Sequence, residues 1–266
     1  HEVVSIDNYS TGKKENEQDG CLYYDYDLSY NYVRDDRDKY DVIFHMGALA
    51  RIQPSIKNPY KTIYNNFTST LNILEYARGG NIPVVYAGSS SKHHGLWGSP
   101  YAWSKFGGEQ LCELYNKVYN LPVTICRFYN VYGSHQIEDG TYATVIGIFQ
   151  KQYREGNPLP ITGDGEQRRD FTHIDDIVDG LVRCGNGLLD EGVSMIAGEI
   201  FELGSGVNFS INQIANLFGK DYPKEYTEQR LGEYDVTLAD YSLAVDVLGW
   251  SPEGKLDKYI KSIVGK

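Results

Sequence analysis

The chain has 266 residues, enough to bury a sizeable core as one domain or as one domain with an appended lobe. Its formal charge of -11 and pI near 5.0 speak against nucleic acid or an anionic membrane as the main partner, so a phosphate-bearing ligand must be held by locally placed arginines and backbone amides. No run approaches a transmembrane length, no signal peptide is visible, and the four cysteines (Cys21, Cys112, Cys126, Cys184) show no paired spacing, so the expectation is a cytoplasmic protein with neither a zinc site nor a disulfide framework.

In chain order, Val3 to Ile6 closed by Asp7-Asn8 reads as a short buried strand, and Leu22 to Tyr24 before Asp25-Tyr26-Asp27 as a second. Asp41 to His45 is a third, running into Met46-Gly47-Ala48. From Ile63 to Arg78 the residues Ile63, Phe67, Leu71, Leu74 and Ala77 recur at helical spacing. Ile82 to Ala87 is a strand ending in Gly88-Ser89-Ser90-Ser91. Ser99 is a good N-cap and Pro100 suits the first helical position, so a helix starts there and runs towards Asn120. Leu121 to Phe128 is the next strand. Strands separated by helices call for a doubly wound parallel sheet, whose ligands sit beyond the carboxyl ends of the strands, where Asp7, Asp27, Gly47, Ser90 and Asn130 fall. Beyond Gly133 the alternation weakens: helices over 144–154, 175–184 and 210–218 and a strand over Ile200–Leu203 describe a smaller lobe capping the sheet.

Within the Pro100 helix, Tyr101 and Lys105 are four apart and share one face. An ammonium one turn from a phenol favours the phenolate and makes the tyrosine an acid/base near neutral pH; the alternative is a partly buried tyrosine beside a solvated lysine. Asp7 can accept hydrogen bonds from a ribose diol, and the serines at 89–91 can donate to a substrate oxygen. Arg168-Arg169 and Arg230 are the anion-binding candidates, Arg168 being the more readily explained as a solvated surface residue. His93-His94 has no acidic or cysteine partner nearby in sequence and reads as a polar loop rather than a metal site.

These segments resemble the extended short-chain dehydrogenase/reductase family, specifically nucleotide-sugar epimerases of the UDP-glucose 4-epimerase type. The match is carried by V-V-S-I-D-N-Y-S-T-G, F-H-M-G-A-L-A-R-I-Q-P-S, S-P-Y-A-W-S-K, R-F-Y-N-V-Y-G, G-D-G-E-Q-R-R-D-F-T-H-I-D-D and the terminal L-G-W-S-P. The resemblance implies a Rossmann-type NAD-binding domain over 1–133, to which some later segments return, and a mainly substrate-binding α/β lobe over 134–266. It implies NAD as cofactor, with Asp7 and Asn8 on the adenosine ribose, Asp27 and Leu28 against the adenine, and Met46, Gly47 and Ala48 lining the site. Asn66 and Tyr129 fall near the nicotinamide, and Lys105 bonds its ribose while lowering the Tyr101 pKa. Asn130, Arg169 and Arg230 contact the substrate diphosphate. The implied reaction removes hydride from the sugar C4 while Tyr101 takes the hydroxyl proton and Ser90, with Ser91 as the alternative register, steadies the oxygen.

A sugar 4,6-dehydratase carries Asp-Glu after the Ser/Thr, where this chain has Ser91-Lys92. A bulky tyrosine that restricts many bacterial epimerases lies seven residues after the second arginine; here the position is Thr237, which leaves room for an N-acetyl group. The family pairs two helices into a homodimer interface, here Phe106, Leu114 and Val118 with Leu71 and Leu74.

The family also opens with a strand and a G-x-x-G-x-x-G turn that binds the cofactor pyrophosphate, and this chain starts at the second strand of that pattern. The segment from Ser91 to Pro100 is shorter than in the family. Three readings stay open: an epimerase whose start is absent or supplied by another polypeptide, a remnant that binds a nucleotide sugar or partner without catalysis, or a decarboxylase or reductase acting at another sugar position.

Overall fold

A computed structural model describes residues 1–30, 36–190 and 196–265. The first half alternates strand and helix: β1 (Val4–Asp7), β2 (Leu22–Asp25), β3 (Ile43–His45), α1 (Ile52–Lys57), α2 (Pro59–Gly80), β4 (Val84–Ser89), α3 (Ser91–Gly95), α4 (Pro100–Tyr119) and β5 (Val123–Phe128). The reasons are local. Asn58 caps α2 by accepting from the Lys61 amide, and Ser99 caps α4 by accepting from the Ala102 amide, each with proline at the first helical position. Asn81 and Asn120 then close the two helices in left-handed backbone.

After β6 (Val131–Tyr132) come α5 (Val145–Glu155), β7 (Leu159–Thr162), β8 (Arg168–Asp170), β9 (Thr172–His173), α6 (Ile174–Leu189), β10 (Ile200–Leu203) and β11 (Asn208–Ser210). The chain ends with α7 (Ile211–Leu217), β12 (Lys224–Thr227), α8 (Ser242–Leu248) and α9 (Leu256–Val264). Strand β10 joins the sheet beside β5, giving the parallel order β10-β5-β4-β3. Strands β1 and β2 form a separate parallel pair. Among the described residues no backbone ladder joins the pair to the four-stranded sheet.

Three cores follow from this layout. Leu74, Tyr86, Cys112 and Ile125 fill the sheet face under α2 and α4. Val85, Cys126, Cys184, Phe201 and Trp250 fill the opposite face under α6 and α8. Ile146, Phe149, Leu159, Ile161, Ile214, Phe218 and Ile260 form a third cluster in the second half. So α6, β10 and α8 belong to the sheet, while α5, β7, α7 and α9 build the lobe beside it. Leu74 is 1% exposed in the first core and cannot contribute to an outer helix face, whereas Leu114 and Val118 are exposed. No helix among the described residues is long and apolar enough to cross a membrane.

Candidate active site

The site grows from the carboxyl ends of β4 and β5 and the first turn of α4. The Tyr101 hydroxyl donates to Ser89 Oγ at 3.4 Å, and Ser89 Oγ lies 2.8 Å from Ser91 Oγ. Ser89, rather than the expected Ser90, is therefore the hydroxyl set against the phenol. Ser89 is the last residue of β4 and its side chain faces α4, whereas Ser90 starts the turn into α3 and, among the described residues, carries only backbone hydrogen bonds, to Phe128 and His93.

Burial pushes the Tyr101 phenol above its ordinary pKa; the Ser89 hydrogen bond and the Arg51 guanidinium pull it back, and Glu109 adds to the rise. Against the expectation of a lowered value, burial outweighs the groups that favour the phenolate. The Lys105 side chain is buried, with Nζ 4.3 Å from the Tyr86 ring centre, and burial brings its own pKa down to about 8.

Asn66 sits behind the pair. Its Oδ1 accepts from the Leu49 amide at 2.7 Å, and its Nδ2 donates to Leu49 O at 3.3 Å and to Ser104 Oγ at 3.0 Å. Ser104 in turn donates to Tyr101 O. Asn66 is thus a fully engaged clamp that fixes the chain after β3 against the first turn of α4, not a side chain open to a nicotinamide.

The strand ends expected at the adenosine do converge. Asp7 is exposed and accepts from the Tyr9 amide through Oδ1. Asn8 Nδ2 donates to Asp27 Oδ2 at 3.0 Å. Burial raises the Asp27 carboxyl, but hydrogen bonds from Ser29 and Asn8 outweigh it and leave the group below its ordinary value. Leu28 Cδ1 lies close enough to Gly47 that an added Cβ would touch it at 3.9 Å, and Met46 and Gly47 are exposed, with Ala48 half-buried beside them.

Tyr129 departs from expectation. It is fully buried and donates to Glu202 Oε2 at 2.7 Å, so it belongs to the interior and not to a cofactor wall. Glu202 also receives the Asp240 amide and pairs with His93, and Arg127 Nη1 stands 3.6 Å away. Burial raises Glu202, yet His93, Tyr129 and the Asp240 amide bring it down to about 2. Arg127 also meets Glu109 at 2.7 Å beneath Gly88, where a Cβ would strike both side chains. Sequence reading missed this network because its members lie on α3, α4, β5 and β10, and His93 is 109 positions from its acidic partner. Of the histidine pair, the His94 side chain lies outside what is described.

The diphosphate candidates divide. Arg168 is spent on Asn208, donating to its Oδ1 at 2.7 Å and its carbonyl at 2.8 Å. Arg169 is half-buried, donates to the Arg168 carbonyl, and has no carboxylate within ion-pair distance among the described residues. Arg230 is exposed. Asn130, in left-handed backbone at φ 26°, donates to the Asp170 carbonyl at 2.8 Å and to Thr237 Oγ1 at 3.4 Å. Thr237 is buried, with its hydroxyl accepting from the Asp170 amide at 3.1 Å. Its hydroxyl is therefore engaged within the fold.

Tyr234, unforeseen in the sequence, reaches across from the second half. Its ring packs on Gly95 in left-handed backbone and near Gly98, over the short segment before Pro100.

Residues 1–204 match the model of the NAD dependent epimerase/dehydratase family. The chain is 34% identical over 240 residues to the UDP-glucuronate 4-epimerase of Thermodesulfobacterium geofontis, covering 84% of this chain and 71% of that one. It superposes on the UDP-N-acetylglucosamine 4-epimerase of Methanobrevibacter ruminantium with a TM-score of 0.86 at 26% identity, covering 99% and 89% of the two chains. The UDP-glucuronic acid 4-epimerase of Bacillus cereus, solved with UDP-glucuronic acid and NAD, gives 0.85 at 27% identity over 99% and 90%.

Proposed function

Because the chain belongs to the NAD dependent epimerase/dehydratase family, we propose that it inverts the C4 hydroxyl of a UDP-sugar through a transient 4-keto sugar. The observation that carries this reading is the Tyr101 hydroxyl held on Ser89 at the carboxyl end of β4, with Lys105 one helical turn behind it.

The residues present fit the cofactor. Asp7 offers an exposed carboxylate at a strand end for a ribose diol, Asn8 and Asp27 sit beside it, and Gly47 keeps the surface against Leu28 free of a side chain. Met46 and Ala48 flank that surface, and Lys105 is assigned to the nicotinamide ribose. When bound, NAD supplies the acceptor and donor of hydride. Tyr101 removes the proton from the C4 hydroxyl, and Ser89 holds the same oxygen by hydrogen bonding. Arg169 and Arg230, with Asn130, bind the diphosphate; among the described residues neither guanidinium lies in an ion pair, which suits them to an anion.

Thr237 in place of a bulky side chain favours UDP-GlcNAc and UDP-GalNAc alongside UDP-glucose and UDP-galactose. Dehydration is disfavoured because the two residues directly after Ser89 are Ser90 and Ser91, where a dehydratase carries Asp-Glu. The exposed Leu114 and Val118 of α4 are proposed as part of a homodimer interface, without Leu74.

Incubation with each of the four UDP-sugars, followed by chromatographic separation of the C4 epimers, tests the reading. Interconversion of at least one pair is expected. Absence of turnover on all four, with no rise in melting temperature on adding NAD, contradicts it.

A further inference from the structure

We propose that Tyr234 is a positioning residue for the Tyr101–Ser89 pair: its ring fills the turn over 95–98 that leads into α4, and ties that turn to the strand bearing Arg169. This rests on the reading of Tyr101 and Ser89 as the groups that handle the C4 oxygen.

Only 12 positions separate Ser89 from Tyr101 along the chain. Ser89 ends β4, Ser91 opens α3, and a turn closed by the Gly98 amide on the Gly95 carbonyl at 2.7 Å leads to Ser99, whose side chain caps α4. On one side of this turn Ser91 Oγ lies 2.8 Å from Ser89 Oγ; on the other, Tyr101 stands two residues beyond the cap. The path of the turn therefore sets where the phenol meets the serine.

Tyr234 is seated in that turn. A Cβ built on Gly95 would lie 2.3 Å from Tyr234 Cε1 and 3.0 Å from Cδ1, and one built on Gly98 would lie 3.7 Å from Cε1. The ring thus occupies the room that a side chain at 95 would need, and the φ of 154° at Gly95 asks for glycine as well. A rigid aromatic packed this closely holds the backbone beneath it by contact alone.

The segment that delivers the ring is fixed at both ends. It leaves β12 and crosses to the first half of the chain, where Gln53 Nε2 of α1 donates to the Leu231 carbonyl at 2.8 Å and Gly232 lies against the Gly98 carbonyl, Ile52 and Ile56. It then returns to β8, where the Arg168 amide donates to the Asp235 carbonyl at 2.7 Å and the Thr237 amide donates to the Arg168 carbonyl at 3.0 Å. Tyr234 stands between these anchors. Arg230 opens the segment and Arg169 follows the residue that receives it, so both arginines proposed for the diphosphate are joined to the Tyr101–Ser89 pair through one ring.

The test reads the first turn of α4 and the reaction separately, on the whole chain with NAD added. Tyr234→Ala is expected to speed amide hydrogen exchange over residues 98–104 by about tenfold or more. It is also expected to lower kcat by about tenfold while KM moves by less than about threefold. Tyr234→Phe is expected to match the parent protein in both measurements, since the ring and not the hydroxyl fills the turn. Exchange unmoved by Tyr234→Ala, a loss in Tyr234→Phe equal to that in Tyr234→Ala, or a rise in KM without a fall in kcat overturns the proposal. If exchange responds as expected but the parent protein turns over no UDP-sugar, the proposed reaction fails and the placement of the Tyr101 turn by Tyr234 stands.

Discussion

The Lys105 ammonium lies 4.3 Å from the centre of the Tyr86 ring, buried under α4 with the Glu109–Arg127 pair one turn further along. A cation in that position is held by a ring face and by a carboxylate already shared with an arginine, so desolvation dominates and its pKa falls from 10.5 to about 8.

That shift has a direction in stability. Below pH 8 the folded chain carries a buried ammonium at full cost; between 8 and 10.5 the folded state binds fewer protons than the unfolded one, so stability rises with pH. Lys105→Met is therefore expected to stabilise the cofactor-free protein near pH 7 by up to about 3 kcal/mol, an advantage that disappears above pH 10.5. Urea unfolding at pH 7 and pH 10.5 measures both limits, and the same variant is expected to lose epimerase activity.

The serine assignment is open to direct comparison. Ser89→Ala is expected to lower kcat by about 100-fold, and Ser90→Ala by much less, because only Ser89 Oγ meets the Tyr101 hydroxyl. Tyr101→Phe is expected to lower kcat at least as far as Ser89→Ala. Steady-state kinetics on whichever UDP-sugar is turned over gives the ranking, and a larger loss for Ser90→Ala restores the original register.

Arg127 and Glu109 are both buried, so breaking the pair strands one charge. Glu109→Gln is expected to destabilise the fold by about 3 kcal/mol or more. Replacing both residues by apolar ones of similar size recovers most of that loss. Denaturant midpoints of the single and double variants decide between a stranded charge and a purely attractive pair.

Much of this arrangement was legible because it is local. The Ser99 cap and Pro100 set the start of α4, and with it Tyr101 and Lys105, while apolar runs located β4, β5 and β10 to within two residues. What was not legible depends on tertiary neighbours. Whether Lys105 faces the phenol or the Tyr86 ring is decided by the sheet beneath it, and Tyr129 is taken from the site by Glu202, 73 positions away. The short strands β7, β8, β11 and β12 escaped because three or four residues carry too little periodicity to separate from turns.

His45 and Glu202 both make the protein sensitive to acid. His45 is buried beside Thr70 at 3.1 Å, and burial lowers its pKa to about 3, so stability falls as pH drops from 6.5 towards 3. Glu202, lowered to about 2, adds a further loss below 4.5. His45→Gln is expected to flatten the stability profile between pH 6.5 and 4.5 while leaving the steeper fall below 4.5 in place, as read by melting temperature across that range.

The most direct test of the central claim follows the hydrogen on C4. A UDP-sugar deuterated at C4 and turned over in ordinary water is expected to yield the inverted epimer with its deuterium retained, since hydride leaves and returns within one active site while Tyr101 handles only the hydroxyl proton. An inverted product carrying solvent hydrogen at C4 would contradict the account.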